Sequence, residues 1–144
     1  MFIEKLDSDA FDDTEYEQYI AEAKFLRAHA YSILVNWYEE VPMVLTYTVD
    51  QKSNDIAPSS LPTLYKQIIS DFTYATEHLL ETIDANYIPG RANKMAAHGL
   101  LARVYLKMAG YPLKDTSKYT DAKEQCDIII QSGNHSISPS IMDP

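Results

Sequence analysis

The chain has 144 residues, 46% of them hydrophobic, and 12 Lys and Arg against 21 Asp and Glu give it a net charge of −9. That length and apolar content suffice for one domain with a packed core and exclude a disordered chain, while the acidic balance argues against nucleic-acid binding. A single cysteine, Cys126, excludes an intrachain disulfide or a cysteine-based zinc site; no apolar run is long enough to span a membrane; and Gly90, Gly99, Gly110 and Gly133 stand too far apart for a phosphate-cradling loop.

Residues 1–13 begin with a short apolar face of Phe2, Ile3 and Leu6, too brief to hold a helix alone, followed by an acidic connector. They read as the tail of a preceding element and do not form a signal peptide, because the apolar run is short and acids follow at once. The first helix is predicted over 14–41. Thr14 and Glu17 have capping-box spacing, and Tyr16, Tyr19, Ile20, Ala23, Leu26, Ala30, Leu34 and Trp37 recur at steps of three and four. That stripe is the expected buried face, with Trp37 in it, and Pro42 is the expected stop. Met43 to Val49 reads as an extended connector lying along the helix. Residues 50–60 read as polar loop.

A second helix is predicted over 60–82, with Pro62 in the tolerated first turn and a stripe of Leu61, Leu64, Tyr65, Ile68, Phe72, Ala75 and Leu79. After a loop at Asn86 to Gly90, a third is predicted over 92–109. Asn93 is its N-cap, Gly110 its end, and Ala96, Ala97, Leu100, Leu101, Val104, Tyr105 and Met108 its face. Ala96, Ala97, Gly99 and Ala102 would admit a neighbouring helix closely. The fourth helix is predicted over 117–132, capped by Ser117 or Asp115, closed by Gly133, and buried through Tyr119, Ala122, Cys126, Ile129 and Ile130. Residues 134–144, rich in Ser and Pro, read as the start of a missing C-terminal part.

The expected fold class is all-α: tetratricopeptide-like helical hairpins, four main helices in two pairs, joined by irregular loops. Small residues fall where helices cross and aromatics one turn later, as in Leu101-Ala102 followed by Tyr105.

Four stretches, in order, resemble the helical repeat region of the SusD/RagB family of Bacteroidota outer-membrane lipoproteins. They are AEAKFLRAHAYSILVNWYEEVPMV (21–44), LYKQIISDFTYATEHL (64–79), GRANKMAAHGLLARVYLKMAG (90–110) and YTDAKEQCDIIIQSG (119–133). One departure is Tyr38-Glu39-Glu40-Val41, where the family usually has an aromatic and then Gly-Asp before the proline; it should alter a turn and not the fold. The resemblance implies a non-catalytic scaffold within a lipid-anchored cell-surface protein that captures glycans or other nutrients. The implied partners are a SusC-like TonB-dependent transporter and an oligosaccharide; no cofactor is implied. The family's signal peptide, lipid-attachment cysteine and loop-rich C-terminal half, where most glycan contacts lie, are not in this sequence. The alternative is a tetratricopeptide-like protein-interaction module unrelated to glycan uptake. A small hydrolase has no constellation of residues behind it.

Trp37, Tyr38 and Tyr47 are the candidate glycan platforms, because an aromatic face suits the apolar face of a pyranose. Against that, helical spacing already places Trp37 in the core stripe. Glu77, His78 and Glu81 share one predicted helix, and His78 and Glu81, one turn apart, could share a metal, but no third ligand is placed and an exposed charged face is the plainer reading. His29 and His98 read as packing or surface residues and His135 as a loop residue. Cys126 reads as inert packing and Arg91 as a structural hydrogen-bonding residue at a helix entry. No catalytic residue and no metal site is assigned.

Overall fold

The computed structural model describes residues 11–46 and 55–136. Tyr47 therefore lies outside the described residues, as do the predicted apolar face at Phe2, Ile3 and Leu6 and most of the final segment. The four helices are α1 (Asp13–Tyr38), α2 (Leu61–His78), α3 (Lys94–Ala109) and α4 (Lys118–Ser132). Among the described residues no strand forms; one isolated antiparallel bridge joins Pro42 and Pro58. This is the all-helical, tetratricopeptide-like arrangement the sequence predicts. Each helix packs on the next in chain order, with a lesser contact between α1 and α3.

The caps show why the helices begin and end where they do. At α1 the cap is Asp12 and not the Thr14–Glu17 box: its carboxylate accepts the Glu15 amide at 2.8 Å, and Asp13 and Glu15 suit the positive end of the helix dipole. α1 stops at Tyr38, short of residue 41, because Glu39 turns to φ 61° while still donating to the Val35 carbonyl. α2 stops at His78, short of residue 82, where Leu79 becomes extended. At α3, Asn93 Oδ1 accepts the Ala96 amide at 2.8 Å, as the sequence predicts. Asp115 Oδ1 takes both the amide and the hydroxyl of Ser117 at the entrance to α4, and Gly133 ends that helix at φ 68°, a left-handed conformation glycine adopts without strain.

The core is centred on α2. Leu64, Tyr65, Ile68, Phe72, Ala75 and Leu79 are all buried on the predicted stripe. α1 meets them with Ala21, Phe25, Ala28 and Val35, and α3 with Ala97, Leu101 and Val104. Phe25 and Phe72 meet edge to face, centroids 5.7 Å apart, a favoured aromatic geometry. The connector after α1 is held in place through Tyr31, whose hydroxyl accepts the Val44 amide at 2.7 Å.

Two predicted faces are wrong. On α1 the buried face is Ile20, Ala21, Phe25, Ala28 and Val35, whereas Leu26, Leu34 and Trp37 are exposed, Trp37 at 79%. Apolar residues occupy two faces of this helix, so spacing alone did not choose between them. The choice is made by Ala21 and Ala28, which let α2 approach, and by Arg27. Its guanidinium forms a two-point pair with Asp71 of α2: Nε to Oδ2 and Nη2 to Oδ1, both 2.7 Å. Gln67 donates a third bond to the same carboxylate.

On α4 only Ala122 is buried. Tyr119, Cys126 and Ile130 are exposed and Ile129 is half-buried, because among the described helices α4 packs chiefly on α3. Contact there uses the small residue predicted for it: a Cβ on Gly99 would lie 3.7 Å from Ile129 Cδ1. His98 Nδ1 meets Gln125 Oε1 at 2.7 Å, tying the two helices together.

Asp71 is 2% exposed, and a buried carboxylate deprived of its cation is costly. Arg27→Met is therefore expected to lower unfolding free energy by about 3 kcal/mol or more, read from the denaturant midpoint. Arg27→Met with Asp71→Leu should recover most of the loss. An unchanged midpoint in the single variant would contradict the role given to this pair.

Candidate functional site

Of the three candidate platforms, Trp37 and Tyr38 project from the C-terminal end of α1, both largely exposed. Trp37 lies one turn beyond Ile33, itself exposed, so helical spacing puts both on one side of α1.

That side of α1 borders a cleft of about 410 Å³ between α1 and α3. His29, Ser32, Ile33 and Asn36 form one wall, and Leu100, Arg103, Val104, Leu106 and Lys107 the other. Tyr65 of α2 lies at its base; burial, and secondarily the charge of Glu39, push the Tyr65 phenol above its ordinary value. Tyr65 and Val104 are the buried hydrophobic members of the lining. Polar groups converge above them. The Ser32 hydroxyl donates to the His29 carbonyl at 2.7 Å, leaving its lone pairs free to accept. Among the described residues His29 Nδ1 is buried without a hydrogen-bond partner.

Arg103 and Lys107 form the positive wall. α3 carries Lys94, Arg103 and Lys107 and no Asp or Glu. Among the described residues neither Arg103 nor Lys107 makes an ion pair. The chain's other two arginines are engaged: Arg27 with Asp71, and Arg91 with Glu22. The hydrogen bond to Glu22, chiefly, raises Arg91 above its ordinary value, and its guanidinium lies 5.3 Å from the Tyr19 ring. Arg91 therefore has the structural role read from the sequence.

The remaining candidates separate. His78 Nδ1 meets the Tyr74 carbonyl at 2.9 Å, its ring stacks on Tyr74, and Nε2 lies 3.9 Å from Glu17. Glu81 lies beyond the end of α2, so the helical spacing that would bring it to His78 does not exist. Among the described residues no three His, Cys, Asp or Glu gather as metal ligands. Lys24 Nζ sits 3.4 Å from the Tyr74 ring centroid, and burial lowers its ammonium from the ordinary lysine value.

The cleft was not read from the sequence. One signal for it was available: Arg103 and Lys107 stand one turn apart in a helix without acids, inside an acidic chain.

Residues 1–106 match the SusD-like family described as starch-binding and associating with the outer membrane. A SusD-like protein of Bacteroides ovatus is 35% identical over 95 residues, 64% of this chain and 16% of that protein. The crystal structure of a SusD homologue from Bacteroides thetaiotaomicron superposes with a TM-score of 0.77 at 31% identity, covering 94% of this chain and 26% of the other. A SusD-like carbohydrate-binding protein from Bacteroides fragilis superposes with a TM-score of 0.73 at 28% identity, covering 88% and 23%. The chain thus spans about a quarter of these solved structures and less of the curated relative.

Exposure makes Trp37 dispensable for folding. Trp37→Ala is expected to change stability by no more than about 0.5 kcal/mol, whereas Phe72→Ala should cost about 3–5 kcal/mol. Thermal unfolding compares them; similar losses would return Trp37 to the core.

Proposed function

This chain belongs to the SusD-like family, and we propose that it is the helical scaffold of a cell-surface protein that captures glycans and passes them to a TonB-dependent transporter. The observation that carries this reading is the family match over residues 1–106. Superposition of nearly the whole chain on a SusD homologue supports it, as does the likeness to a relative named for carbohydrate binding. The role is binding without catalysis. Family membership also supports association with the outer membrane, with lipid anchoring in the complete protein. No described helix is long and apolar enough to cross a membrane.

A scaffold needs a rigid centre and free faces. α2 is the rigid centre, packed between α1 and α3 and carrying the buried pair to Arg27. The free faces include the outer side of α1, with Leu26, Ile33, Leu34 and Trp37. A contiguous apolar row of that kind marks a contact surface on a soluble domain; in this reading it is the side turned towards the transporter and the ligand.

The test is co-purification from detergent-solubilised outer membranes, together with affinity electrophoresis in gels cast with soluble polysaccharides. The protein is expected to be retained with a TonB-dependent transporter and slowed by at least one glycan. A protein that neither associates with a transporter nor is retarded by any polysaccharide would contradict the reading.

A further inference from the structure

The cleft between α1 and α3 carries more chemistry than a scaffold face requires. Two cations one turn apart, Arg103 and Lys107, line one wall without an ion pair among the described residues. Asn36 and Ser32 on the opposite wall offer an amide and hydroxyl lone pairs. The His29 ring lines the same wall, its Nδ1 sealed from solvent. One helical turn beyond Ile33 of that wall, outside the lining itself, stands Trp37, 79% exposed. Two cations with no acid paired to them among the described residues favour an anionic ligand over a neutral one, and the amide and hydroxyl favour a hydroxylated ligand over an apolar one.

We propose that this cleft binds a carboxylate-bearing sugar, a uronate residue of a glycan. The inference rests on the glycan-capturing reading given above and deepens it by naming a substrate class and a site. Arg103 is suited to hold the carboxylate through its paired N–H groups, with Lys107 adding a point charge. The sugar hydroxyls pair with Asn36 and Ser32. The ring's apolar face meets Trp37 or the exposed Ile33. The volume of about 410 Å³ accommodates one or two sugar rings, so the site reads a short piece of a longer polymer.

Isothermal titration of the 144-residue chain with trigalacturonate and with maltotriose, at low and high salt, tests this. Trigalacturonate is expected to bind more tightly than maltotriose and to weaken as salt rises. Arg103→Gln with Lys107→Gln should weaken trigalacturonate by about tenfold or more, the loss of charge-assisted hydrogen bonds, with the helical circular dichroism unchanged. Trp37→Ala, on a residue whose exposure leaves folding unaffected, should also weaken it. Binding of trigalacturonate that ignores both variants overturns the site. Binding of maltotriose but not trigalacturonate overturns the uronate class while leaving the glycan-capturing reading intact. Retention of no polysaccharide and no transporter overturns that reading first. Equal or tighter binding of a hexaglutamate peptide at the same residues overturns the sugar assignment and makes the cleft a docking groove for acidic protein segments.

Discussion

The pair between Arg27 and Asp71 is the constraint from which the rest of this arrangement follows. A carboxylate with 2% exposure is tolerable only when its charge is matched and its lone pairs are occupied. Here two guanidinium bonds and one from Gln67 do so. The pairing fixes how α1 is rotated about its own axis on α2. With Arg27 turned to α2, Ala21, Phe25, Ala28 and Val35 enter the core, and Leu26, Leu34 and Trp37 are left exposed. The same rotation turns His29, Ser32 and Asn36 towards α3 and so forms one wall of the cleft. A single buried interaction thereby decides both which residues are structural and which are available to a ligand.

How much was legible in the sequence depended on whether one face of a helix was unambiguously apolar. α2 was legible: one stripe of large apolar residues runs through it and every predicted member is buried. α1 was legible as a helix but not as a face, because its apolar residues surround it and the deciding contact joins residues 44 positions apart. α4 was read as more buried than it is, since periodicity reports what a helix could bury and not how many neighbours it has. Caps followed the same logic. Asn93 was read correctly because it stands alone at its helix entry, while at α1 two acids and a threonine compete and Asp12 takes the role.

The candidate site was legible only in part. The aromatic residues singled out, Trp37 and Tyr38, are as exposed as a ligand platform requires, yet helical spacing set Trp37 in the core stripe. The cationic wall was hidden by averaging. A chain of net charge −9 seems to leave no room for a positive patch, but its acids lie elsewhere, and α3 carries three cations and none of them. Local charge, taken helix by helix, locates what net charge conceals. Family membership then explains why a compact helical frame should bear such faces: the relatives that superpose on it are about four times as long, and the frame is one part of them.

The central claim is that α2 is the buried centre of the frame, held by α1 through Asp71 and by α3 through the apolar core. Amide hydrogen exchange of the 144-residue chain, resolved by residue, tests it most directly. The slowest amides are expected in α2 from Ile68 to Ala75, exchanging together with those of α1 around Phe25 and Ala28, while α4 exchanges earlier. An α2 that exchanges as fast as α4, or independently of α1, would contradict the account.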